Sequence, residues 1–271
     1  MRNLKLPVTL VASSALVLLV FRIFPESFLK SIPFLSGIIS YALIALVTYI
    51  FVYLLGLPTL EYFGRPKLNL KSLFAVVAVV PLLSKPFFAG NLESKKISVA
   101  IMGSIFIFMI GCGEELFSRA FTFGILRRFG KKRAMFFSSL LFGLMHLNLY
   151  TGANWDPWVA YWHVMSAFGF GLIACSLMLT TRNIWIPIFF HAIRDVTVAF
   201  EKPVKPANQG DGADSTIQFF SGLISPLSTF LFDLILVFIL LWIGREHSLP
   251  RWMKRLMIKW KLVMVEPVLG S

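Results

Sequence analysis

Cysteine, acids and charge of any kind are scarce in this chain. Of 271 residues only two are cysteine, Cys112 and Cys175, and both fall inside apolar runs, which argues against a disulfide framework. Charged residues make up 14% of the chain while hydrophobic ones make up 57%. So little charge spread between long apolar runs is the composition of a polytopic membrane protein, because about 20 apolar residues span the hydrocarbon core. There is no C-x-x-C pair, no glycine-rich phosphate loop and no internal repeat. Acids are the scarcest charges, 13 Asp and Glu against 26 Lys and Arg. In a soluble domain that excess would suggest a nucleic-acid partner; here topology accounts for it, and no nucleic acid is expected.

What is present is a succession of apolar runs broken by Gly, Pro and charge. They predict an all-α protein of eight transmembrane spans, near 7–24, 33–56, 71–89, 97–126, 134–150, 158–181, 184–200 and 217–243. Pro81 and Lys85 make the third span the weakest. With eight spans, seventeen basic residues gather on one side, among them Arg2, Lys71, Arg127, Lys131, Arg182 and the tail from Arg245, against seven on the other. The positive-inside rule then puts both termini in the cytoplasm, whereas deleting the third span would move Arg2 and Lys5 outside. The first span resembles a signal peptide but lacks a small-residue cleavage site in "FRIFPES", so it is read as retained. The chain is expected to be a single membrane domain over 1–271, with three helices in 1–96, a motif-bearing core at 97–200, and the last helix with a basic cytoplasmic tail in 201–271. Trp155, Trp158, Tyr161 and Trp162 read as an aromatic belt, with His163 as an interfacial member of it.

Ionisable residues are expensive inside such spans, and several occur there. Counting about 1.5 Å per residue from the cytoplasmic charges puts Glu114, His146, His191 and Asp195 roughly 14 to 20 Å into the membrane, on three separate helices. Groups at matching depth can converge on one wet cavity. Glu115 and Arg119 in "EELFSR", and His191 and Asp195 in "HAIRD", are spaced i, i+4 and share a helix face. Glu114 is rotated about 100° from Glu115, so one glutamate can neutralise itself against Arg119 while the other faces the cavity. Arg194 and Asp233 sit at about the same depth as each other, roughly 18 Å, and are expected to pair. Gly111, Gly113, Gly143, Gly169 and Gly171 read as sites of close helix contact.

A glutamate and a histidine from facing helices can hold a water molecule and take its proton, and a second histidine can donate to a developing oxyanion, which suits peptide hydrolysis. The alternative is a zinc site made from His146, His191 and a carboxylate, Glu114 or Asp195, although no H-E-x-x-H pattern is present. Transporters also carry midplane acids, but they usually show repeats or broken helices.

Taken together, "EELFSR" (Glu114, Glu115, Arg119), "FGLMH" (Phe142, His146) and "HAIRD" (His191, Asp195) resemble the motifs of the CAAX prenyl protease and bacteriocin-processing family, also called Abi, which includes the type II CAAX endopeptidases. The resemblance runs from Gly111 to Phe200. It implies an eight-helix intramembrane endopeptidase in which Glu114 activates water with the help of His146. His191 and Asp195 would form the oxyanion site, supported by Glu115, Arg119 and Phe142, with no cofactor favoured and zinc as the alternative. The implied partners are the lipid bilayer and a membrane-embedded or lipidated peptide substrate, a prenylated CAAX peptide being the best known. The implied location is the plasma membrane in a prokaryote or the endoplasmic reticulum in a eukaryote. Family members that act as non-catalytic scaffolds or immunity proteins are the rival. Several members have Asn where this chain has Asp195; an ionised carboxylate there would repel an oxyanion, so Asp195 is protonated, orients His191, or binds a metal.

Overall fold

A computed structural model describes residues 32–64, 69–88, 95–149, 156–200 and 215–244. The first expected span, Trp155 and the basic tail from Arg245 lie outside the described residues. Within them the chain forms helices and turns and no strand. In order these are α1 (Leu35–Leu54), a 3₁₀ turn (Pro58–Phe63), α2 (Leu70–Phe88), α3 (Ile97–Glu115), a π-helical segment (Leu116–Thr122), α4 (Phe123–Leu126), a 3₁₀ turn (Arg127–Phe129) and α5 (Lys131–Met145). A 3₁₀ turn (His146–Leu149), α6 (Pro157–Thr181), α7 (Trp185–Arg194), α8 (Val196–Phe200) and α9 (Ser215–Gly244) follow.

Four of these segments are long and apolar enough to cross a membrane: Leu35–Leu54, Ile97–Phe129, Pro157–Thr181 and Ile224–Gly244, with Lys71–Leu82 a shorter apolar helix. The regions expected to span at 134–150 and 184–200 are helical but interrupted. α5 tightens into a 3₁₀ turn at His146, and the helix through 185–200 breaks at Asp195, whose φ of −85° and ψ of 11° leave the α-helical basin.

Helix ends follow local chemistry. Asp156 caps α6 by accepting hydrogen bonds from the N–H groups of Trp158 and Val159, ahead of Pro157 in the first turn. Asn183 does the same for α7, accepting from the N–H groups of Trp185 and Ile186, while its own amide donates to the Gly64 carbonyl 2.9 Å away. Arg182 closes α6 in the left-handed conformation, at φ 52°.

The core has two lobes. One surrounds the π segment, where Leu116, Phe117, Phe121 and Phe123 pack on Ile44, Val52, Met178 and Ile188. The other is centred on α6, where Phe170, Ile173 and Leu177 meet Phe142, Phe190, Leu236 and Leu240. α6 lies between α5 and α9, and α3 lies between α1 and α7. That second sandwich is close: a Cβ on Gly111 would stand 2.7 Å from the Ile188 carbonyl oxygen, and one on Gly113 would stand 2.9 Å from Cδ1 of Tyr41. These two glycines let α7 and α1 approach α3 on either side of Glu114.

Candidate active site

Glu115 is the last residue of α3, and the helix widens immediately after it. Over Leu116–Thr122 the bonding is π-helical, an i→i+5 pattern that recurs at functional sites. Nothing in "LFSRAFT" announces this, since the segment has neither Gly nor Pro. A contact from outside braces it: the buried Thr59 hydroxyl donates to the Ala120 carbonyl at 2.6 Å.

The two adjacent glutamates diverge as their helical phase requires. Glu115 has a side-chain exposure of 0% and faces Arg119, also 0%, with Oε2 2.9 Å from Nε and Oε1 accepting from Nη2 at 3.3 Å. Arg119 also lays its guanidinium 4.8 Å above the Phe142 ring, so Phe142 serves as an apolar lid over the buried cation. Glu114 keeps 24% of its side chain exposed and accepts a hydrogen bond from the Tyr41 hydroxyl at 3.2 Å.

His191, on α7, joins the two acids. Its Nδ1 is 2.9 Å from Glu115 Oε1, while Nε2 lies 3.4 Å from Asp195 Oδ2 and 3.8 Å from Glu114 Oε2. One buried imidazole therefore stands among three carboxylates, its orientation fixed by Glu115. The i, i+4 relation of His191 and Asp195 survives the helix break, because the Asp195 N–H still bonds to the His191 carbonyl at 3.0 Å. Glu115 thus has two partners rather than the one its helix spacing suggested: Arg119 on its own turn and His191 from across the bundle.

His146 reaches this cluster through Phe142. The Phe142 ring lies 4.8 Å from the His146 ring and 6.0 Å from the His191 ring, edge to face in both cases. Nδ1 of His146 is 2.9 Å from the Phe142 carbonyl oxygen. A carbonyl can only accept, so Nδ1 carries the proton, and in the neutral ring Nε2 is left as an acceptor.

Three neighbours of the site were not singled out by sequence reasoning. Tyr41 and Thr59 lie in apolar runs far from any motif, and no local pattern marks them. His163 was assigned to the aromatic belt; the structure brings its ring to 4.7 Å from that of His146. Deeper in the bundle, Arg194 donates from Nη2 to Ser166 Oγ at 2.8 Å and sits 4.5 Å over the Phe170 ring. Asp233 lies close enough to act on Arg194 electrostatically, as the matching depths suggested, and its carboxylate rests against the space above Gly169.

Among the described residues no three His, Cys, Asp or Glu side chains converge in a geometry that would hold a metal. His191 commits Nδ1 to Glu115 and His146 commits Nδ1 to a carbonyl, which leaves one nitrogen on each ring.

No curated protein and no solved structure matches the chain. A family model does: residues 96–197 match the one described as type II CAAX prenyl endopeptidase Rce1-like. That segment, which contains Glu114, Glu115, Arg119, Phe142, His146, His191 and Asp195, is similar to the Rce1-like family of type II CAAX prenyl endopeptidases.

Proposed function

We propose that the chain is an intramembrane endopeptidase that uses Glu114 as its general base, without a metal. In this reading it is one membrane domain of eight spans with both termini in the cytoplasm. It cuts a peptide bond in a membrane-associated substrate, and the family points to a prenylated CAAX peptide. The observation that carries the reading is the split between adjacent acids. Glu115 is fully enclosed by Arg119 and His191, whereas Glu114 stays partly open and faces the same imidazole.

The chemistry follows from the donor and acceptor inventory. Water is held between Glu114 and Nε2 of His146, each an acceptor for one of its protons. Its oxygen attacks the scissile carbonyl carbon as Glu114 takes a proton, and the carbonyl oxygen becomes an oxyanion. His191 acts as the imidazolium: its Nδ1–H is held by Glu115, its Nε2–H donates to that oxyanion, and Asp195 orients the ring. Collapse of the intermediate expels the amine, to which Glu114 returns the proton. Arg119 neutralises Glu115 and takes no part in the bond changes.

Cleavage of prenylated and unprenylated membrane peptides by the purified protein, with products identified by mass, tests the reading. Glu114→Gln and His146→Ala should each abolish cleavage while unfolding in detergent stays close to that of the parent. A strong chelator should leave the parent active. Cleavage by Glu114→Gln, or loss on chelation that zinc restores, would overturn the proposal.

A further inference from the structure

A polar cavity of about 730 Å³ opens where α6 and α9 end, α2 and α5 begin, and the 3₁₀ turn after α4 arrives. None of the candidate catalytic residues lines it. Five cations do: Lys71, Arg127, Lys131, Lys132 and Arg182. Among the described residues one acid lines it, Glu61, which lies 2.7 Å from Nη1 of Arg127 and within electrostatic reach of Arg182, so cations outnumber acids five to one. The lining also has apolar side chains, Met135, Leu179 and Leu241, contributed by α5, α6 and α9, beside Thr180 and Thr181.

Two further features are difficult to explain by packing alone. Arg182 occupies a left-handed backbone position that glycine or asparagine fills more easily, yet its side chain is exposed at the cavity. α5 starts with Lys131, Lys132 and Arg133, has no acid in its first turn and has no side-chain cap. Cations there oppose the positive end of the helix dipole. Both arrangements hold positive charge against a local cost, and both face one cavity at the ends of helices that cross the apolar layer.

We propose that this cavity binds the phosphate of an anionic phospholipid headgroup, with the acyl chains running along Met135, Leu179 and Leu241. The cationic rim supplies the recognition and the apolar side chains distinguish a lipid from a free anion. The site is independent of the peptidase chemistry, and its test does not use cleavage.

Delipidated full-length protein in a neutral detergent would be titrated with phosphatidylglycerol, with phosphatidylcholine of the same acyl chains, and with inorganic phosphate, reading bound lipid by native mass spectrometry and protection by thermal unfolding. Phosphatidylglycerol should bind at least tenfold more tightly than phosphatidylcholine, and inorganic phosphate at the same concentrations should neither protect nor compete. Removing one rim charge should weaken phosphatidylglycerol binding by about fivefold, the effect of roughly one Lys or Arg near an anionic lipid. Lys132→Gln tests this at an exposed position, where a substitution should change the unfolding temperature of the lipid-free protein little. Arg182→Gly gives opposite signs, weaker lipid binding together with a higher unfolding temperature of the lipid-free protein, because glycine relieves the backbone. Equal binding of the two lipids, an unchanged lipid preference in both variants, or protection by inorganic phosphate alone would overturn the proposal.

Discussion

Replacing Arg119 with methionine removes a charge while keeping much of the side-chain volume, and its cost can be worked from the contacts. The guanidinium and its partner are both fully buried, at 2.9 Å, and the cation lies on the Phe142 ring. Removing one member of such a pair strands the other, which costs about 3–5 kcal/mol. Glu115 keeps one partner in the variant, Nδ1 of His191, so the low end of that range applies. On the scale of soluble domains of 150–250 residues, where each kcal/mol is worth about 2–4 °C, the expected fall in unfolding temperature is roughly 6–12 °C. Adding Glu115→Gln to Arg119→Met neutralises the stranded acid, so the double variant should lose at least 1 kcal/mol less than the two single losses summed, about the lower range for coupled neighbours. Arg128→Met, at an exposed site two residues past the end of α4, is the control and should stay within about 0.5 kcal/mol of the parent. Thermal unfolding of the parent and the four variants in one detergent is the assay. An Arg119→Met protein that unfolds within about 2 °C of its parent, or losses that simply add, would refute the reasoning.

Thr59→Val keeps the shape of the side chain but deprives the Ala120 carbonyl of its 2.6 Å donor, so it should cost about 1–3 kcal/mol, read by the same thermal assay, while Thr59→Ser should recover most of the loss. His191→Ala should slow cleavage by on the order of 10²-fold or more, as for loss of an oxyanion donor, whereas Asp195→Asn should stay within about tenfold of the parent because an amide can still orient the ring. The Glu61–Arg127 pair sets a small pH dependence: Arg127 holds the Glu61 carboxyl below its usual range, so the pair stabilises the fold above that range and the benefit disappears as pH falls through the lowered value. Because Glu61 is more than half exposed the contribution should not exceed about 0.5 kcal/mol, and the gap in unfolding temperature between the parent and Glu61→Gln should close between pH 7 and pH 3.

The relations that sequence exposed are those carried within one helix. Glu115 with Arg119 and His191 with Asp195 are four residues apart, and a periodicity of 3.6 puts each pair on one face whatever surrounds it. The opposed directions of Glu114 and Glu115 were legible for the same reason. Contacts between distant segments were not. Tyr41 meets Glu114 across 73 residues, Thr59 meets Ala120 across 61, and Glu115 meets His191 across 76, and each depends on how glycine-lined faces bring the helices together. The irregular backbone was equally hidden. Apolar runs at 97–126, 134–150 and 184–200 read as uninterrupted spans, yet each changes its winding beside a candidate residue: after Glu115, at His146 and at Asp195. Hydropathy reports how much of a segment avoids water and is insensitive to a local change of turn.

The π segment has a consequence for how this helix tolerates change in length. Wider winding places more residues in a given rise than α-helical winding does, so Leu116–Thr122 acts as a stored surplus between Glu115 and the basic end of the helix at Arg127. Deleting one residue beyond Arg119 in this segment would let it relax toward the α form and leave the Glu115–Arg119 spacing unchanged. The same deletion in the regular turns of α3 would rotate everything beyond it by about 100°. The glutamates are thereby buffered from insertions and deletions on one side only: length can drift toward Arg127, while the stretch from Gly111 to Glu115 keeps a fixed register against α1 and α7.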